Sequence, residues 1–239
     1  TDFETAINID KKDPTIHFNL GNVYLNWKGN KKFKEALKCY EDALRIHRET
    51  ATQGNGVVKV LHSKGLAYQG MAEARKAETT ELKVLKSMTN DQKEEAEEEV
   101  KALYSLAIEF YKQALQIQED FVASRFHLGL MYHRINDFHE ALKCFSKVLI
   151  WENKDKTVYI ARGVVYQDMG NHSLAIEDFD KAIELEPTQS EAYQLRGLSK
   201  YYNKRHNEAI EDFNESADRQ MKLRYDNDNI PENPAIDDG

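Results

Sequence analysis

The chain has 239 residues, of which 31% are charged and 41% apolar, with only 11 Gly and 4 Pro. That is a water-compatible, helix-favouring composition, too poor in turn residues for a turn-rich β protein. The formal charge of −8 is concentrated in two places. Residues 91–99 hold six acids against Lys93, and residues 226–239 hold five acids and no base, so the rest is close to neutral. No basic stripe is present, which argues against a nucleic-acid partner. No apolar run is long enough to insert into a membrane, and no leader pattern is seen. Cys39 and Cys144 are too few for a disulfide framework, so an intracellular, cytoplasmic setting is expected.

The chain opens on DFETAINIDKKDP (2–14), which reads as the second half of a helical pair. Residues 1–13 are therefore expected to be the second helix of a truncated repeat, and the chain a segment of a longer protein. A first full unit, residues 14–50, carries LGNVY and EALKCYEDAL, with Gly21 and Ala36 at its centre. It has a three-residue enlargement around Trp27–Lys28–Gly29–Asn30, and ATQGNG (51–56) follows as a loop.

The second unit, residues 57–120, is irregular. Its first helix should include Gly65 and Tyr68, yet the matching second helix arrives late, at AIEFYKQALQI (107–117). The inserted stretch, about residues 70–106, lacks Pro, and Met71, Leu82, Leu85 and Met88 follow helical spacing on its outgoing side. On the returning side Ala96, Val100, Leu103, Ala107 and Phe110 alternate by four and three, a coiled-coil-like seam. The expected structure is an elongated antiparallel helical hairpin turning near Thr89–Asn90–Asp91, where Thr or Asn can cap the returning helix. Such a spur is a candidate docking element; a Glu/Lys-rich loop is the alternative.

Three regular units follow at residues 121–154, 155–188 and 189–225, and 226–239 reads as an acidic tail. Gly129, Gly163 and Gly197 are 34 residues apart, as are Ala141, Ala175 and Ala209, and Phe145, Phe179 and Phe213. Ala107 and Tyr111 extend two of these series towards the N-terminus. Two helices and a short turn fit that period. Gly and Ala on facing helices let two backbones approach, the aromatic fills the space beyond, and units hide their apolar stripes only by stacking.

With LGLMY and FHEALKCFSKVL (128–149), RGVVYQDMGNHSLAIEDFDKAIELEP (162–187) and RGLSKYYNKRHNEAIEDF (196–213), the sequence resembles the tetratricopeptide-repeat family over roughly residues 1–220. The resemblance implies an all-α fold, a right-handed α-solenoid of helix-turn-helix repeats with one elongated hairpin. It also implies that the first helix of each repeat lines a groove. Carried over position by position, the groove residues of the last three repeats are Phe126, His127, Leu130, Ile160, Ala161, Val164, Gln194, Leu195 and Leu198, with Tyr201 and Tyr202 just beyond. This apolar set suits an amphipathic helix or an apolar peptide. Burial between neighbouring helices, or cover by the chain's own C-terminal segment, is the alternative. The family's clamp for acidic chaperone tails is not matched: Asn22 fits, but Phe18 and Ser63 stand where Lys and Asn are required. Arg162 and Arg196 are expected to bond inside the repeats.

Nothing in the sequence points to catalysis, a metal or a cofactor. The His residues are scattered, the glycines recur with the repeat, and DNDNIPEN (226–233) lacks the Gly and distal Glu of a calcium loop. The expectation is a non-enzymatic protein-binding scaffold in a large hetero-complex, with ciliary and other cytoskeletal machines among the settings the family resemblance suggests. A peptide-binding adaptor and a regulatory repeat domain of an enzyme remain as alternatives.

Overall fold

The computed structural model describes residues 12–27, 32–51, 54–81, 86 and 88–228. Among these residues there are ten helices and no strand. The chain divides into two compact units, Thr1–Trp151 and Glu152–Gly239. The first unit holds α1 (Pro14–Leu25), α2 (Phe33–Glu49), α3 (Asn55–Thr80), α4 (Asn90–Ile117), α5 (Val122–Arg134) and α6 (Phe138–Trp151). The second holds α7 (Lys156–Asp168), α8 (His172–Leu185), α9 (Ser190–Tyr202) and α10 (His206–Asp228).

Repeated local chemistry starts and stops these helices. Asp13 and Asp155 cap α1 and α7 in the same way, each carboxylate accepting from the backbone N–H two residues on at 2.8 Å. Between the helices of the last three hairpins the backbone turns through positive φ at Asn136, Gly170 and Lys204, one residue per 34. The next N–H then reaches back to a carbonyl of the first helix, from Asp137 to Tyr132, Asn171 to Tyr166 and Arg205 to Lys200. Lys204 holds this left-handed conformation with a full side chain, so the hydrogen bond must repay local strain.

Hairpin packing follows the 34-residue pattern, with one correction to the sequence argument. The alanines Ala36, Ala107, Ala141, Ala175 and Ala209 are buried as expected. The glycines, however, lie directly beneath the aromatic of the second helix: Gly21 under Tyr40, Gly65 under Tyr111, Gly129 under Phe145, Gly163 under Phe179 and Gly197 under Phe213. The glycine thus makes room for a ring, where the sequence had suggested a backbone approach. A Cβ on Gly163 would lie 2.7 Å from Cε1 of Phe179, far inside normal contact. Gly163→Ala is therefore expected to cost about 1–3 kcal/mol through overpacking, although Ala favours a helix by roughly 1 kcal/mol over Gly. Urea unfolding measures the difference, and adding Phe179→Leu should recover part of it.

The second hairpin is elongated. α5 ends five residues after Gly129, whereas α3 continues fifteen beyond Gly65. α6 begins seven residues before Phe145, and α4 begins twenty-one before Tyr111. The additional turns extend the two arms by about 15 and 21 Å at 1.5 Å per residue. Thr89 caps α4 in a reciprocal box with Gln92: Gln92 N–H donates to the Thr89 hydroxyl at 3.3 Å, and Thr89 N–H to Gln92 Oε1 at 2.9 Å. The arms zip through buried Ala72, Ala96, Val100 and Tyr104, with Arg75 on α3 donating to Glu99 on α4 at 2.7 Å. Met71, Met88 and Leu103 are half-buried, so the outgoing seam runs through Ala72 and the returning one through Tyr104. Leu82 and Leu85 lie outside the described residues, as do the opening half-repeat at 1–11 and the tail at 229–239.

Two boundaries differ from the sequence reading. α3 begins at Asn55, inside the stretch read as a loop, because Gly54 at φ +111° completes the turn. α10 runs to Asp228, into the stretch read as tail, since no helix breaker precedes Pro231.

Candidate functional site

The expected groove residues separate into two groups. In the second unit Ile160 is buried against Ala182 and Ala192, and Val164 and Leu195 are partly buried against the same cluster. Gln167 on α7 ties the neighbouring first helix in place, its amide donating to the Leu195 carbonyl at 3.3 Å and the Ser199 hydroxyl at 2.9 Å. These aliphatic residues therefore hold α7, α8 and α9 together. Ile160 is not available to a ligand, a correction that follows from the close approach the small Ala182 and Ala192 allow. Ala161 is half-buried.

Gln194, Leu198, Tyr201 and Tyr202 are exposed on α9, with Leu198 at 37%, Tyr201 at 52% and Tyr202 at 58%. Leu198, Tyr201 and Tyr202 are spaced i, i+3, i+4 and so share one face. The Tyr202 ring stacks on His172 at 5.2 Å between centroids, and Tyr201 meets Tyr202 and His206 edge-on at 5.6 and 5.3 Å. Neighbouring rings hold both tyrosines while leaving more than half of each open to solvent.

In the first unit Phe126 and Leu130 are half-buried, Phe126 against Phe145 at 5.7 Å. His127 belongs to a polar knot joining α3, α4 and α5. Its Nδ1 lies 3.1 Å from Gln69 Oε1, which also accepts from the Tyr111 hydroxyl at 2.9 Å. His62 lies 5.5 Å from the His127 ring, and its Nδ1 is 3.0 Å from the Ser124 hydroxyl. Burial, with a smaller contribution from His127, brings His62 down to about 4, and burial also lowers His127. His62, Gln69 and Ser124 were not picked out from sequence, although Gln69 stands four residues after Gly65 as Gln167 does after Gly163, and both reach the next first helix.

The second unit uses ion pairs instead. Arg162 grips Asp178 through two bonds of 2.8 and 2.7 Å, and Arg196 grips Asp212 at 2.9 and 2.6 Å, one repeat later. Lys200 reaches the same Asp212 at 2.8 Å. Both arginines thus bond within their hairpins, Arg196 also reaching Asp180 on α8 at 2.6 Å, and the 34-residue spacing of Arg162 with Arg196 and of Asp178 with Asp212 was a legible signal for the pairs. Asn22, the one residue matching the chaperone-tail clamp, is engaged as an acceptor for the Tyr40 hydroxyl at 2.8 Å, and Ser63 is buried. Cys39 and Cys144 are buried, and desolvation pushes both thiols up to about 11, which suits packing rather than reactivity. Among the described residues no three His, Cys, Asp or Glu side chains gather as metal ligands, and no helix is long and apolar enough to cross a membrane.

Two family models, both described as tetratricopeptide repeat, match residues 122–155 and 157–189. The chain carries tetratricopeptide repeats. Its fold is the all-α helix-turn-helix arrangement of that family, as solved structures also show. MamA is 21% identical with a TM-score of 0.65, over 89% of this chain and 94% of that one. YrrB, described as a TPR protein with an unusual peptide-binding site, is 17% identical with a TM-score of 0.63, over 92% and 93%. MamA 41-end from Desulfovibrio magneticus RS-1 is 16% identical with a TM-score of 0.66, over 87% and 96%. At these identities the likeness concerns the fold. No curated protein matches the sequence. Within the tetratricopeptide frame, the five Gly–aromatic pairs are structural, and of the residues expected to line a groove Gln194, Leu198, Tyr201 and Tyr202 are exposed.

Proposed function

We propose that this tetratricopeptide protein is a non-enzymatic scaffold that holds apolar helical segments of partner proteins against the first helices of its repeats. The observation that carries this reading is the open face of Leu198, Tyr201 and Tyr202 on α9. Tyrosine combines a large rigid contact area with a hydroxyl that still bonds at the edge, which is why it concentrates in binding surfaces. An exposed apolar and aromatic face rimmed by polar groups marks an interaction surface. The elongated α3–α4 hairpin offers a second contact element, which fits a subunit of a multiprotein assembly. Buried, unpaired Cys39 and Cys144 suit a reducing cytoplasmic setting, and a ciliary or cytoskeletal assembly is one such setting. The peptide-binding description of YrrB supports the related reading of a peptide-binding adaptor.

An array of synthetic amphipathic helices, with aliphatic residues at i, i+3, i+4 and i+7, probed with the labelled full chain tests this. Native chain should bind a subset, and Tyr201→Ala/Tyr202→Ala should weaken that subset by about tenfold or more while changing stability little. Equal binding by the double variant would remove α9 from the function.

A further inference from the structure

In the first unit a cleft of about 730 Å³ opens between α2 and α4, floored by α3. Leu44, Val57, Leu61 and Ile117 give it an aliphatic lining, with Arg48 and Lys64 among its polar groups. The 34-residue register explains why the opening occurs here. Leu61 stands four residues before Gly65, the position held by Arg125, Tyr159 and Tyr193 in the later repeats. Ile117 stands six residues after Tyr111, the position held by Trp151, Leu185 and Arg219.

In each later repeat a large side chain at one of the two positions reaches back to the preceding turn. Arg125 lies 5.1 Å from the centre of the Trp151 ring and donates to the Glu119 carbonyl at 2.8 Å. The Tyr159 hydroxyl donates to the Asn153 carbonyl at 3.2 Å. Arg219 lies 4.0 Å over the Tyr193 ring and donates to the Pro187 carbonyl at 2.7 Å. Glu119, Asn153 and Pro187 are themselves 34 residues apart, so each of the three plugs makes the same bond. Each supplies a ring together with a hydrogen-bond donor. Leu61 and Ile117 supply neither.

We infer that this cleft is a docking site for a short peptide segment of a partner protein, anchored by one Trp or Tyr side chain that enters between α2 and α4 and replaces the missing plug. Trp and Tyr are the side chains that bring an aromatic body and a donor at once. The aliphatic lining receives the ring, and Glu41 and Gln113 among the lining residues offer acceptors for the anchor's donor. The site is separate from the α9 face and does not depend on it.

The plug can be restored from within the chain. Leu61→Arg/Ile117→Trp copies Arg125 and Trp151, and Leu61→Tyr/Ile117→Arg copies Tyr193 and Arg219. A phage-displayed library of random linear peptides is panned on the full native chain with depletion on the first plugged chain, and synthetic copies of the winners are titrated into both chains by calorimetry. Winners should share a Trp or Tyr, lose about tenfold or more when it becomes Ala, and bind the plugged chain about tenfold or more weakly. The plugged chain should melt no lower than the native one. If the first plugged chain unfolds, the second serves for depletion and titration; unfolding of both overturns the register equivalence. Winners lacking Trp and Tyr, winners that bind a folded plugged chain equally, or no enrichment overturn the proposal. So does cleft-dependent binding of a synthetic peptide of residues 226–239, which contains no aromatic residue.

Discussion

Replacing Arg162 with leucine is expected to lower the stability of the second unit by about 3–5 kcal/mol, the usual consequence of removing one partner from a buried ion pair. The Asp178 side chain is only 5% exposed, and the Arg162 guanidinium meets both of its oxygens. Leucine would leave that carboxylate charged, dry and without its two donors. At several degrees per kcal/mol for a unit of this size, the melting transition should fall by about 10 °C or more. The repeat itself supplies the rescue. In the preceding repeat Leu128 and Cys144 occupy the same two positions, and both are buried. Arg162→Leu/Asp178→Cys therefore copies an arrangement that already packs beneath Phe145, and it should return to within about 1 kcal/mol of the native chain, as apolar replacement of both partners generally does. Urea unfolding of the native, single and double forms measures this. A single variant as stable as the native chain would mean that Asp178 is hydrated. A double variant no better than the single would mean that the two kinds of pair are not interchangeable.

Such pairs show what the sequence exposes and what it hides. Features carried once per repeat were legible: the Gly–aromatic series, the buried alanines, the helical hairpins and the internal use of Arg162 and Arg196. The elongated second hairpin was legible too, because the next Ala–aromatic pair arrived late and no breaker intervened. Exposure along α7 and α9 was not. Val164 and Leu198 are aliphatic residues at the same repeat position, and only the packing of Val164 against Ile160, Ala182 and Ala192 separates them. The cleft was hidden for a different reason, since it comes from two ordinary aliphatic residues standing where other repeats carry rings and arginines. The knot of His62, Gln69, Tyr111, Ser124 and His127 lay deepest, because its hydrogen-bonded partners are 42 to 62 residues apart and, although Tyr111 belongs to the aromatic series, no spacing pairs the five.

That knot leads to an acid sensitivity confined to the first unit. The His62 ring is enclosed by Tyr111 from α4, by Phe121 in the turn before α5, and by His127 from α5, at centroid distances of 5.6, 5.4 and 5.5 Å. The titratable groups in this ring-lined site are His127 and Tyr111. Burial holds His127 neutral at lower pH than usual and makes the Tyr111 hydroxyl harder to ionise, so neither offers His62 a compensating negative charge. With His62 lowered from its ordinary 6.5 to about 4, the unfolded chain binds a proton that the folded chain refuses in that interval. Stability is therefore complete above about pH 6.5 and falls as the pH drops towards 4, by roughly 3 kcal/mol from His62 alone at 1.36 kcal/mol per pH unit. His127 adds in the same direction. Replacing both members of one hydrogen bond, as His62→Phe/Ser124→Ala, keeps a ring in the site and leaves no orphaned hydroxyl. The urea midpoint of the first unit should then lose about one proton's worth of its pH slope between 4 and 6.5, with the second unit's unfolding unchanged. An NMR titration adds a direct reading, in which the His62 ring stays neutral at pH 5. A ring that titrates near 6.5, or a double variant with the native slope, would place water in the knot and remove the basis of the expected loss.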